Sequence, residues 1–229
     1  MNTASFEAEE RKRGIRKSLT VKAVKEAQRF QRFLNSRSKN VDTATASDLE
    51  DYLEERTLST VALLDVHGLG RFFGHLGNGE IVEAIPRLRL LFTTPYKLTG
   101  LLDVDAKHIA ALERLGVRTN NQLLRRAPTA EARVQLAGEA GIPIDALEKI
   151  SRLSDLTRMR GVRGIRAKLY YDMGIQAVKQ MAQWTEDDLV QAANEYVERS
   201  DFEGIATLPK EARFTVDLAK RLPQVACFS

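Results

Sequence analysis

Three times in its second half the chain closes an apolar stretch with a glycine followed by a branched aliphatic residue: Leu115-Gly116-Val117, Ala140-Gly141-Ile142 and Met173-Gly174-Ile175. Each phrase is a helix ending. The glycine takes the left-handed conformation just past the last turn, and the aliphatic side chain folds back onto the helix it has left. A chain punctuated in this way is committed to short helices joined by tight turns. The likeness of the first and third phrases continues downstream, Val117 to Leu124 against Ile175 to Ala182 at an offset of 58 residues, which marks an internal duplication of a small helical unit. Composition agrees, since 7% aromatics, 14 Gly and 6 Pro in 229 residues are too few for a turn-rich β sandwich. With 43% hydrophobic and 29% charged residues the chain is an ordinary globular one, long enough for a core without metal or disulfide staples.

The net charge of +4 hides a strong segregation. Residues 1–40 hold eleven Lys and Arg against four acids, a balance of +7, and 41–60 return −5. A second basic block, 151–183, stands at +5 and is followed by −6 over 184–204. Two concentrated positive segments, each backed by an acidic one, suit a surface that faces a polyanion; alternating solvated helix faces are the plainer reading. The single Cys227 excludes an intrachain disulfide framework and a Cys-based zinc site. No apolar run approaches the ~18 residues of a membrane span and no apolar signal core follows the charged N-terminus. A cytoplasmic protein away from membranes is the expectation.

Along the chain, residues 1–18 read as a basic arm, 19–92 as a helical bundle, 93–99 as a linker and 100–229 as a second helical domain. In the bundle, Ala23, Ala27, Phe30 and Leu34 form one apolar stripe of a helix over 20–37, with Thr20 as its N-cap. Lys22, Lys25, Arg29 and Arg32 share a ridge within an arc of roughly 80° beside it. Ser47 with Glu50 fits a capping box for a helix over 48–55, Leu58 to Leu76 reads as a longer apolar helix or one broken near Gly68 and Gly70, and Gly77-Asn78-Gly79 as a stop. Pro86, Thr93-Thr94-Pro95 and Gly100 mark an irregular connector. In the second domain, Thr185-Glu186-Asp187-Asp188 opens a helix to about Glu198, and the last helix runs from Lys210 to Leu222 after Pro209.

The most informative stretch is Leu156-Thr157-Arg158-Met159-Arg160-Gly161-Val162-Arg163-Gly164-Ile165-Arg166-Ala167-Lys168-Leu169. A tight, small-residue hairpin that opens a helix points free backbone N–H groups and a positive helix end at an anion. The stretch resembles the helix-hairpin-helix motif, in which two short helices flank a Gly-hydrophobic-Gly turn. Gly161 and Val162 fit the turn, and Ala167 stands at the small packing position. Arg163 replaces the second hairpin glycine, with Gly164 one residue later. The resemblance implies sequence-independent contact with DNA phosphates, to which Arg158, Arg160, Arg163, Arg166 and Lys168 would add salt-sensitive affinity. In the upstream copy Asp103-Val104-Asp105-Ala106 stands in place of Gly161-Val162-Arg163-Gly164, and two carboxylates there point to a structural role. Tandem units with one degenerate hairpin resemble a bacterial family of helix-hairpin-helix-like domains of uncharacterised function, over about 98–200.

The N-terminal half has a looser likeness. Phe30-Gln31-Arg32-Phe33-Leu34, Ala46-Ser47-Asp48-Leu49-Glu50-Asp51-Tyr52-Leu53 and Leu69-Gly70-Arg71-Phe72-Phe73-Gly74-His75-Leu76 resemble the SAM-like core-binding domain of tyrosine recombinases over about 19–92. That domain clamps duplex DNA, in keeping with the Lys22 to Arg32 ridge. The recombinase catalytic pattern is missing: three residues after His67, His75 and His108 stand Gly70, Asn78 and Ala111, where the family has Arg.

The three histidines lack metal-ligand spacing, Asp187-Asp188 and Asp103 with Asp105 read as solvated helix starts, and Tyr170 and Trp184 fit a core. Gly68-Leu69-Gly70 follows no strand and makes no dinucleotide turn. The sequence therefore leads to an all-α protein, a SAM-like bundle followed by a tandem helix-hairpin-helix-like domain. It is expected to be non-enzymatic, to need no cofactor or metal, and to hold duplex or branched DNA by its backbone. A protein-interaction adaptor on the same domains is the alternative.

Overall fold

The computed structural model describes residues 3–59 and 65–228. Among these residues there are thirteen α-helices, two short 3-10 turns and no strand, so the chain is all-α. It divides into two compact units, residues 1–92 and 93–229.

The first unit holds α1 (Ala4–Lys12), α2 (Lys17–Asn35), α3 (Ala46–Ser59), α4 (Val66–His75) and α5 (Gly79–Leu91). Its core is aromatic: Phe30 lies 5.1 Å from Tyr52 and 5.7 Å from Phe73, and Phe6 meets Phe72 edge-on at 5.3 Å. Phe6 belongs to α1, so the expected arm is, over Ala4–Lys12, a helix packed on the bundle. The helix is docked, with Glu10 buried and paired to Arg71 at 2.8 Å, and Glu9 joined to His75.

Several local boundaries differ from those read in the sequence. Helix α2 starts at Lys17 and ends at Asn35, which puts Thr20 inside it and buried, where a cap would have been at its edge. The cap of α3 is Thr45: its Oγ1 accepts the Asp48 amide at 3.3 Å while Asp48 takes the Thr45 amide at 3.0 Å, a box two residues before the expected one. The expected helix over 58–76 is two elements, since α3 runs to Ser59 and α4 opens at Val66 with Asp65 accepting the Gly68 amide at 2.7 Å; residues 60–64 lie outside the described residues. Asn78 caps α5, which continues through Pro86 into the region expected to be irregular. Pro86 lacks the N–H that would have reached back one turn, but it is exposed, so the carbonyl it leaves open can face water.

The second unit holds α6 (Ala106–Arg114), α7 (Asn120–Arg126), α8 (Ala130–Ala140), α9 (Ile144–Leu156), α10 (Gly164–Asp172), α11 (Val178–Met181), α12 (Glu186–Arg199) and α13 (Pro209–Ala219). All three glycine phrases close helices as their pattern demands: Val117 N–H bonds Leu112 O, Ile142 bonds Ala137 and Ile175 bonds Tyr170, and each of these aliphatics is buried. The duplication extends to backbone detail. Helices α6 and α10 have the same length at the 58-residue offset, and the bonds from Gly100 to Lys97 and Leu101 to Leu98 recur as Arg158 to Asp155 and Met159 to Leu156. The side chain of Gln122 takes the Arg118 amide at 2.8 Å, and Gln180 takes that of Gln176 at 2.6 Å.

The expected linker is part of this second unit. Leu98 is fully buried, Thr93 bonds Asn121, and Tyr96 exchanges bonds with Asn120 through its amide (2.9 Å, to Oδ1) and its carbonyl (2.9 Å, from N–H). A Pro-containing, turn-rich composition concealed a segment tied down by side-chain amides.

Candidate nucleic-acid interface

On α2 the ridge read from the sequence is real and outward. Lys22, Lys25, Arg29 and Arg32 are all exposed, on the side of the helix away from Ala23, Ala27 and Leu34, which are fully buried. Four cations thus line about 15 Å of helix, the axial length of about four phosphates on one DNA strand. Arg29 is held at its foot by Glu26 at 2.9 Å. Glu26 is itself buried and also accepts from Tyr52 Oη and faces Arg56, and burial together with that carboxylate pushes the Tyr52 phenol up. Lys22, Lys25 and Arg32 have no acidic partner among the described residues.

The hairpin lies between α9 and α10. Thr157 Oγ1 caps the end of α9 by donating to Ser154 O at 2.8 Å, and Asn120 Nδ2 donates to the same hydroxyl at 3.1 Å. Gly161 turns the chain at φ +98°. The same turn in the upstream copy is made by Asp103 at φ +57°, a residue type that tolerates the left-handed region. Val162 is buried and its amide bonds Met159 O, and Ala167 is packed inside. Lys149 pairs with Asp103 and holds that carboxyl below its ordinary range. The Asp105 carboxylate accepts the Lys107 amide at 2.9 Å, so the upstream acids are structural.

The cations of the downstream hairpin separate into two groups. Arg158 is inside: it pairs with Asp155 at 2.8 Å and donates to Pro223 O at 2.7 Å. Arg166 reaches Ile205 O and Glu211, and Lys168 pairs with Asp172, which holds the ammonium above its ordinary pKa. These three were expected to face phosphate; each instead has an intramolecular acid, and Arg158 is not accessible. Gly164 is also internal. Its amide donates to Tyr96 Oη at 3.0 Å, and a Cβ there would lie 2.2 Å from Gly100 O. What remains outward is Arg160, Gly161 and Arg163, with the amides of Arg163, Ile165 and Arg166 lacking intrahelical partners at the start of α10.

Tyr96 and Asn120 were not singled out in the sequence, yet they set the hairpin's position. Asn120 is fully buried and joins the 96 segment, α7 and Thr157 in one network. The signal that could have drawn attention to it is an Asn-Asn pair opening a short helix just after the Thr119 cap, ahead of the apolar Leu124.

Among the described residues no group of His, Cys, Asp and Glu is placed to hold a metal ion, and no helix is long and apolar enough to cross a membrane. No curated protein and no solved structure matches the chain. Residues 103–222, more than half of its length and the stretch that contains α6 to α13, match the family described as a domain of unknown function (DUF4332), and the chain belongs to that family.

Proposed function

We propose that the chain is a non-enzymatic DNA-binding protein that contacts the phosphate backbone largely independently of sequence. The observation that carries this reading is the exposed row Lys22, Lys25, Arg29 and Arg32 on α2. Its likeness to the DNA-gripping helices of the recombinase core-binding domain supports it, as does the helix-hairpin-helix character of the 156–169 segment. At the hairpin the contact rests on Arg160, Arg163 and the open amides of the turn. Two modest contact surfaces on one chain raise each other's effective concentration, which makes a net charge of +4 sufficient.

With Lys22, Lys25, Arg32, Arg160 and Arg163 each neutralising one phosphate, log K falls with log salt at a slope of about −4.5. Fluorescence anisotropy of a labelled duplex at several salt concentrations measures that slope. Absent binding, or a slope near zero, would refute the proposal.

A second reading, a protein-interaction adaptor, is favoured by apolar exposure next to the hairpin. Leu102, Ile165, Ile205 and Leu208 are 42%, 43%, 67% and 54% exposed. Arg160→Glu with Arg163→Glu separates the two readings: DNA affinity drops if the hairpin grips phosphate and stays level if only a protein partner uses it.

A further inference from the structure

The C-terminal tail is fastened over the second unit by interior arginines. Arg158 donates to Pro223 O, and Arg133, 1% exposed, donates to Cys227 O at 3.0 Å. The Cys227 amide bonds Pro128 O at 2.8 Å, and the Phe228 ring lies 4.9 Å from the Arg133 guanidinium and 5.1 Å from that of Arg152. Burying an arginine is costly unless its charge is paired. Arg133 pairs with Glu148 at 2.5 Å and Arg158 with Asp155 at 2.8 Å, so both hold their tail carbonyls from neutralised interior positions and the tail forms a roof.

Beneath that roof is a cavity of about 220 Å³, walled by α11, the end of α13 and the tail. An apolar cavity of roughly 150 Å³ already accepts a benzene ring. The walls here are Val178, Ala182, Ala219 and Leu222, and the polar floor is occupied: Asp155 takes Arg158 with one oxygen and the Val178 amide with the other, at 2.8 Å each. Lys179 and Lys220 line the same cavity, and both are exposed with no acidic partner among the described residues. The lining therefore combines an apolar wall of one-ring size with two ammonium groups that no acid among the described residues neutralises.

We infer that this cavity binds a small organic anion, a compact apolar body of about one ring carrying a phosphate or carboxylate, with the charge between Lys179 and Lys220. This site shares no residue with the α2 row or with the outward Arg160 and Arg163, and it stands or falls independently of DNA binding.

Phenyl phosphate is a suitable probe, titrated into the ¹⁵N-labelled full chain and followed by amide shifts. Saturating shifts at Val178, Ala182, Ala219 and Ala226 are expected, with inorganic phosphate alone and phenol alone each at least about tenfold weaker. Lys179→Gln with Lys220→Gln weakens binding at least about tenfold, and Ala182→Leu, which fills the cavity and leaves both lysines in place, abolishes it. Shifts that fail to saturate by about 10 mM, that persist in both variants, or that inorganic phosphate reproduces at equal concentration overturn the assignment.

Discussion

A methyl group at position 164 would sit 2.2 Å from a backbone oxygen that cannot swing away, so Gly164→Ala forces α10 off the Gly100 segment. The expected cost is about 1–3 kcal/mol, read as a lowered midpoint in urea denaturation. Arg158→Ala leaves the Asp155 carboxylate buried without its cation and costs about 3–5 kcal/mol, while the DNA affinity of the folded fraction is unchanged because Arg158 faces the tail. Loss of affinity in folded R158A would contradict that placement. Composition alone makes Arg158 and Arg160 equivalent. What separates them is Asp155, three residues before Arg158, where side chains on one helical face meet. A partner at that spacing was readable, but the burial that turns it into an interior pair depends on the tail returning from residue 223.

At the scale of the element, the helix endings were the most legible part, because glycine at positive φ followed by an apolar residue is a local requirement of the backbone. Helix starts were less so. Ser47, Thr45 and Asp48 all lie within one turn, and the choice of Thr45 rests on Asp48 also pairing with Lys39 at 2.6 Å, a contact with a residue before the helix. Thr45→Ala is expected to cost about 1 kcal/mol of stability. Burial opposes ionisation of Asp48, but its bonds to Lys39 and Thr45 outweigh this and lower its pKa below 3.8. A carboxyl whose folded value is the lower one contributes its stability above the unfolded value and loses it as pH falls through the folded value. The acid limb of a thermal-melt series therefore flattens below about pH 4 in Asp48→Asn, whose stability near neutrality is lower than that of the parent. The ridge of α2 was legible because its apolar stripe and cationic row follow one period. Lys22→Glu with Lys25→Glu is expected to leave the melting temperature within the small range of surface changes and to weaken duplex binding by more than tenfold, with a shallower salt slope. Equal affinity for parent and variant would remove α2 from the interface.

The whole molecule was legible as all-α with a duplicated second half, and less legible in where its halves divide. Thr93 to Gly100 looks like a connector by composition, but Tyr96 and Leu98 are held by residues far ahead in sequence, and no local pattern announces such partners. The fragment 93–229 is expected to unfold in one cooperative transition. The fragment 100–229 lacks the buried Leu98 side chain and the Tyr96 bonds and should lose about 3–5 kcal/mol by comparison, measurable by urea denaturation of the two. Equal midpoints would restore the linker.

The bond from the Gly164 amide to Tyr96 also has a consequence in time. Its partners are 68 residues apart, and a ribosome adding about 5–20 residues per second separates their appearance by roughly 3–14 seconds. Phe92 has been made by then, so the N-terminal unit can close while Tyr96 and the first hairpin await the α10 start that completes them. Birth order makes the first copy of the repeat depend on the second.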